Sequence, residues 1–268
     1  MFNLIIFILI LLSSFLFAML GLGGGMVYIP ILKWAGLDFK EVVIPLGLLL
    51  NGLNTLLALI PYHKAKLVDY KGMWPMGVTA VIFAPIGALV TPYISKPILI
   101  ILFAILVLIA ALKVFYDLNK ANKKQKLVAT SGASSEIAAT AETKVYTLRQ
   151  KQIIGGSTGA GIGFIGGLLG VGGGFIIAPI LMMLGYKTKE AAATTAFVVT
   201  FSSFSGYLGH LSKGLPLSWL TFLAILAVII GSQIGSNFMV KKAKGSTVKL
   251  IYGITLVLIA IKLIFDLF

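Results

Sequence analysis

The chain has 268 residues, of which 59% are hydrophobic and 11% charged, with a formal net charge of +14. A soluble domain carries roughly 25% charged residues, so this chain cannot cover itself with a hydrated surface, and its long apolar runs make it an integral membrane protein. The 22 lysines and arginines lie between apolar segments, a pattern set by membrane orientation rather than by a nucleic-acid partner.

The sequence has no cysteine, which excludes disulfides, thiolate metal sites and cysteine-based sulfur chemistry. His63 and His210 alone leave little for a histidine metal site, and no cofactor is expected. The absence of a triad, of paired catalytic carboxylates and of a ligand cluster speaks against an enzyme.

In chain order, the first half reads as an apolar segment 4–20, the glycine break Gly21-Leu22-Gly23-Gly24-Gly25, a short segment 26–36, and segments 42–60, 73–93 and 97–116. The run 4–20 lacks a basic n-region and leads straight into the glycine motif, so it reads as mature protein rather than a leader. Residues 119–152 are rich in Lys, Ala, Ser and Thr without apolar periodicity, the composition of a solvated linker. The second half follows with 153–169, a second break at Gly170-Val171-Gly172-Gly173-Gly174, then 175–185, 190–209, 217–240 and 247–265. The expected units are thus a first transmembrane repeat 1–118, a basic cytoplasmic linker 119–152 and a second repeat 153–268.

An offset of 149 superimposes residues 21–41 on 170–190 with ten identities, among them the four glycines, Pro30 on Pro179, and Lys40-Glu41 on Lys189-Glu190. This is an internal duplication, and a duplicated membrane protein places its site at the repeat interface. Lysine distribution sets the orientation of the halves. If each glycine hairpin returns to its starting side, every half keeps three full crossings and the halves are inverted. Apart from the linker and Lys113, lysines then divide nine inside to five outside; parallel halves reverse that ratio. The fold expected is therefore all-α and polytopic. It has two repeats in inverted topology, each with a glycine-rich re-entrant hairpin and three spanning helices.

Glycine costs roughly 1 kcal/mol against alanine per helical position, so four in five positions mark a deliberate break. One copy alone would be explained by tight helix packing. Two copies, each followed by a helix of about 12 residues and roughly 18 Å, too short for a bilayer core of about 30 Å, point to turns that meet near the midplane. A helix start presents unpaired N–H groups and a partial positive charge, and glycines let an anion approach them. Gly23, Gly24, Gly25, Gly172, Gly173 and Gly174 are the candidate backbone donors. Pro30 and Pro179 are expected to kink or end the short helices.

The next segment carries a second repeated polar set, in which Asn51 and Asn54 correspond to Thr200 and Ser203 on one helical face. These four are expected to line the substrate path. Thr194, Thr195, Ser202 and Ser205, and Ser232, Gln233, Ser236 and Asn237, add polar groups that commonly join helices. Glu41 and Glu190 are candidate gating or coupling residues, although an acid in a first helical turn is ordinary dipole pairing.

With Gly-x-Gly-Gly-Gly-x-x-x-x-Pro in both halves, at Gly21 to Pro30 and Gly170 to Pro179, the sequence resembles the TauE/SafE family of sulfite exporters and sulfonate permeases. The resemblance covers the chain outside 119–152. It implies transport of a small anion such as sulfite, thiosulfate, a sulfonate or a related organic anion, in a multi-pass cell-membrane protein usually described as eight-spanning. The reading is an anion transporter that works by alternating access at the repeat interface, with the lipid bilayer and a small anion as partners. Oligomeric state, transport direction and coupling ion are not encoded in any motif. A passive anion channel of the same fold would show no counterflow, and a membrane scaffold would show no stabilisation by substrate.

Overall fold

The computed structural model describes residues 2–109, 146–210 and 218–242, with single positions at 112, 116, 254, 257, 258 and 261. Most of the linker and the expected segment 247–265 lie outside the described residues. The elements are α1 (Phe2–Leu20), α2 (Gly25–Trp34), a π-helical turn (Phe39–Val43) running into α3 (Ile44–Lys64), and α4 (Tyr70–Val90), closed by a 3-10 turn (Thr91–Tyr93). After these come α5 (Lys96–Ile109), α6 (Leu148–Leu169), α7 (Gly174–Met183), α8 (Thr188–His210) and α9 (Trp219–Lys241).

Six of these helices, α1, α3 with its π turn, α4, α6, α8 and α9, are long and apolar enough to cross a membrane. The protein is an all-helical polytopic membrane protein. Each hairpin has unequal arms: α1 and α6 have 19 and 22 residues, whereas α2 and α7 have 10 each, roughly 15 Å at 1.5 Å per residue.

Two boundaries differ from the apolar pattern. The α6 helix begins at Leu148, inside the stretch read as linker, because Thr147 and Gln150 form a reciprocal capping box, which can start a helix before any apolar run begins. The short helices also run past Pro30 and Pro179 by four residues. They stop at Gly36 and Gly185, with φ of 82° and 91°. There the N–H groups of Gly36 and Leu37 return to Lys33 and Leu32, and those of Gly185 and Tyr186 to Met182 and Leu181. That is a Schellman ending, for which glycine in the left-handed conformation is suited. The prolines do not set the helix ends.

Small residues fix the packing. Gly159, Gly163 and Gly167 recur every four residues along α6 and face Met76, Ala80 and Ala84 of α4; a methyl on Gly163 would lie 2.5 Å from the Ala80 carbonyl oxygen. On α9, Gly231 and Gly235 face Leu11 and Phe15 of α1 in the same manner. In both pairs the partner numbers rise together, so α4 runs parallel to α6 and α1 parallel to α9. Backbones this close gain dispersion contacts that larger side chains would prevent.

In contrast, Leu48 of α3 meets Gly206 of α8, Asn51 meets Ser203, and Gly52 meets Phe204. The partner falls from Gly206 at Leu48 to Ser203 and Phe204 at Asn51 and Gly52, and to Thr194 at Asp69 just past the end of α3, so α3 and α8 cross antiparallel. The short helix α2 also runs against α3, because Gly25 sits by Asn51 and Ile29 by Gly47. The α1–α2 hairpin therefore returns toward the end at which α3 starts.

Charge is gathered at one end of the bundle. Tyr186 bonds Asp69, Gln152 bonds the Lys71 carbonyl, and Lys189 bonds the Val240 carbonyl. These contacts bring together the α3–α4 loop, the starts of α6 and α8, and the end of α9. Lys64, Lys66, Lys71, Arg149, Lys151, Lys187, Lys189, Lys241 and Lys242 lie there; among the described residues the other end has Lys33, Lys40 and Lys96.

Candidate functional site

The two glycine turns touch. A methyl on Gly25 would lie 2.8 Å from Val171 Cα and 2.9 Å from the Gly170 carbonyl oxygen, and one on Gly174 would lie 2.6 Å from the Leu22 carbonyl oxygen. Only backbone without side chains permits such an approach. Gly23 and Gly24 have φ of 90° and 99°, and Gly172 and Gly173 have 65° and 76°, so each turn also needs the left-handed conformation that costs an L-residue roughly 1–2 kcal/mol. Asn51, beside the first turn, lies halfway along the Phe39–Lys64 span.

The repeated polar residues hold the turns from α3 and α8. Asn51 Oδ1 accepts from the Gly25 N–H at 2.8 Å, and its Nδ2 donates to Ser203 Oγ at 2.8 Å. Asn54 Nδ2 donates to the Gly23 carbonyl and, at 2.8 Å, to the Tyr28 hydroxyl. From α1, Ser14 Oγ donates to Asn54 Oδ1 at 3.4 Å and to the Val228 carbonyl at 3.1 Å. On the other side Ser202 Oγ donates to the Gly172 carbonyl at 3.3 Å, while Thr200 Oγ1 turns back to Ala196 of its own helix at 2.7 Å.

The site residues expected from sequence are thus brought into one cluster, but in different relations. Asn51 and Ser203 are direct partners across the two halves. Asn54 serves the first turn. Thr200 is near the crossing without bonding either turn. Asn51, Asn54 and Ser203 are fully buried and Thr200 is 2% exposed, so the crossing is shut from solvent in this conformation. The Gly25 N–H, one of the expected free donors, already has a partner. Its occupant is an amide oxygen carrying partial negative charge, the kind of group a helix start favours.

Glu41 and Glu190 lie away from this cluster. Glu190 Oε2 accepts from the Lys187 N–H at 3.1 Å, which caps α8, and the Glu41 N–H donates to Asp38 Oδ1 at 2.8 Å in the cap of the π turn. Among the described residues no group of three His, Cys, Asp or Glu is placed to hold a metal ion.

Sequence reasoning missed Ser14, Tyr28 and Tyr62. The Tyr62 hydroxyl is 2.8 Å from both the Ala18 and Met19 carbonyl oxygens at the end of α1, where four carbonyls lack intrahelical partners. A polar atom inside an otherwise apolar segment was the available signal. Its partner, 43 or 44 residues away, was not.

A bundle of spanning helices with two broken hairpins meeting at its centre has the form of a membrane transporter whose polar site is held away from lipid. The sulfite exporter TauE/SafE family matches residues 6–263. The chain belongs to this family. It is 28% identical over 267 residues to the Bacillus subtilis protein named probable membrane transporter protein YunE, covering 93% of this chain and 92% of that one. A Haemophilus influenzae protein named probable membrane transporter protein is 25% identical over 83% of this chain and 74% of its own. Arabidopsis thaliana sulfite exporter TauE/SafE family protein 1 is 29% identical over 36% of this chain and 22% of its own. These relatives are named as transport or exporter proteins, not as enzymes. No solved structure matches the chain significantly.

Proposed function

We propose that this protein moves a small sulfur-containing anion across the cell membrane by alternating access of two inverted repeats about the glycine crossing. The observation that carries the reading is the meeting of the two turns, with the Asn51 amide oxygen seated on the Gly25 N–H. An anion oxygen fits the same place, since a helix start and its flanking glycines stabilise negative charge without a fixed counter-ion. Gly23, Gly24, Gly25, Gly172, Gly173 and Gly174 then supply backbone groups, and Asn51, Asn54, Thr200 and Ser203 supply side-chain groups.

The antiparallel crossing of α3 and α8, counterparts in the repeat, supports an axis lying in the membrane plane. The gathering of basic residues at one end supports a cytoplasmic location for that end and for the linker that joins it. The names of the family and of its plant members support sulfite or a related anion as substrate. Gating by Glu41 or Glu190 rests only on their repetition.

The test is counterflow of labelled sulfite in vesicles preloaded with unlabelled sulfite. The parent should show saturable counterflow. Asn51→Asp, which fixes a full negative charge at the start of α2, should abolish it while the protein remains folded by its thermal transition. Parent-like counterflow in that variant removes the crossing as the site, and flux without counterflow in the parent removes alternating access.

A further inference from the structure

Around the second glycine turn, donors outnumber acceptors. Among the described residues the N–H groups of Gly173, Gly174 and Phe175, at the start of α7, have no acceptor, and no side chain caps that helix. Asn51 Nδ2 carries two hydrogens and places one on Ser203 Oγ at 2.8 Å. Among the described residues its second hydrogen, and the proton of the Ser203 hydroxyl, have no acceptor. Both side chains stand against Gly172, where an added methyl would run into them. At the first turn the matching donor is satisfied: the Gly25 N–H, counterpart of that of Gly174, is taken by the Asn51 oxygen.

Thr195 adds an independent observation. Its hydroxyl is fully buried and has no hydrogen-bond partner, whereas Thr200 and Ser202 of the same helix bond carbonyls one turn back. Thr195 lies one turn before Val199 and two before Ser202 on one face of α8. A methyl on Gly172 would lie 3.2 Å from Val199 Cγ1, and Ser202 Oγ donates to the Gly172 carbonyl at 3.3 Å. Three residues before Thr195, the Ala192 carbonyl faces Gly21 of the first turn. The hydroxyl is therefore aimed between the two turns, on the side of the crossing toward the basic end. At the offset of 149 its counterpart in α3 is Leu46, also fully buried. The packing thus admits an apolar side chain at this place, and an unpaired hydroxyl is costly to bury.

We infer that Thr195 is a further substrate ligand, and that the anion is seated first at the second turn. There the Thr195 hydroxyl and the N–H groups of Gly174 and Phe175 donate to its oxygens while Asn51 still holds Gly25. A cluster of donors without acceptors selects a ligand that only accepts, which is an ionised oxyanion rather than an alcohol or a protonated acid. The partial positive charge of the α7 start favours the same choice. Thr195 and Ser203 are fully buried, so the seat fills when the bundle opens toward one end. This assignment rests on the transport reading and deepens it by naming the residue and the turn that take the anion; binding itself is measured without transport.

The purified full chain is titrated with sodium sulfite at constant ionic strength, with chloride as control, reading the shift of the thermal transition. Thr195→Val keeps the shape and removes the hydroxyl. Its transition without sulfite should equal or exceed that of the parent, because no bond within the protein is lost. Its sulfite affinity should fall about tenfold or more, and Thr195→Ser should restore affinity to within about twofold of the parent. Parent-like affinity in Thr195→Val overturns the proposal, as does a parent that sulfite does not stabilise. A lowered transition in sulfite-free Thr195→Val also overturns it, since the hydroxyl is then bonded within the fold. If Thr195→Val does not fold, Thr195→Ala against Thr195→Ser carries the same comparison of affinities. Counterflow lost in Asn51→Asp, with sulfite affinity indifferent to Thr195, leaves the transport reading standing and this one refuted. Affinity that depends on Thr195 in a parent without counterflow does the reverse.

Discussion

At the first glycine turn the N–H of Gly25 is taken by Asn51 from α3. At the second turn the counterpart of Asn51 is Thr200, whose hydroxyl bonds its own helix, and the side chain that reaches the turn is Ser202, donating to the Gly172 carbonyl. The backbone of the two turns is shared, with left-handed glycines at matching positions, and the matching carbonyls both accept, Gly23 from Asn54 and Gly172 from Ser202, but the first turn is held in addition through a donor, the Gly25 N–H. The geometry that needs glycine is the same in both turns. The side chains around it differ, so that an amide oxygen fills one helix start and not the other. In a site that takes an anion, the two helix starts are then unequal partners: the first must release Asn51 before it can bind, and the second need not.

Substitutions that break the shared part should have the largest effect. Gly172→Val meets Ser203 and Asn51 in space and forces a β-branched residue into φ of 65°; with left-handed strain and overpacking together, a loss of about 3–5 kcal/mol is expected. Gly23→Val, also packed against Asn51, should lose as much. Thermal unfolding in detergent and the yield of monodisperse protein measure both, and tolerance of either one would show that its turn is not held as described.

Substitutions in the diverged part should separate the two turns. Asn51→Ala strands the buried Gly25 N–H and removes the donor to Ser203, at about 2–3 kcal/mol. Thr200→Ala removes a bond within one helix, and about 0.5 kcal/mol or less is expected because such back-bonding adds little to a helix. Chemical unfolding of the pair tests this, and equal losses would erase the distinction between the turns. A smaller effect, about 1 kcal/mol of stabilisation, is expected from Thr200→Asn if the new amide caps α7 as Asn51 caps α2. It should be accompanied by slower sulfite counterflow.

The smallest effect lies away from the crossing. Because burial, and then the hydrogen bond to Asp69 and the charges of Asp69 and Glu190, raise the Tyr186 pKa in the folded protein, its neutral form contributes stability that is fully present below the unfolded value of about 10. That contribution is lost as pH rises above it. Tyr186→Phe should therefore be less stable than the parent at neutral pH and lose less stability between pH 9 and pH 11, read as the difference between their thermal transitions. Parallel pH profiles would show that the Asp69 bond does not hold the phenol neutral.

The glycine turns were legible because the break appears twice, with the same spacing to Pro30 and Pro179, in segments too short to span. The polar face of Asn51, Asn54, Thr200 and Ser203 was legible for the same reason. Ser14, Tyr28 and Tyr62 were not, since none is repeated and each acts through a partner on another segment. The glycines of α6 at 155, 159, 163 and 167 were a readable four-residue stripe, although which helix they admit is a matter of packing. The start of α6 at Leu148 was written in the spacing of Thr147 and Gln150, a capping box made by two polar side chains, but the apolar pattern does not carry it.

The sequence by itself determined a helical membrane protein and the two places where helices must break, because hydropathy and glycine content are local properties of a chain. Tertiary structure decided that the breaks touch, that Asn51 pairs with Ser203 across the halves, and that one turn is filled while the other is not. The first two outcomes depend on distances between segments more than 100 residues apart, and the third on pairs 26 and 30 residues apart that lie on separate segments. Close backbone approach and the direction of each hydrogen bond fix such distances, and no periodicity within a single segment records them.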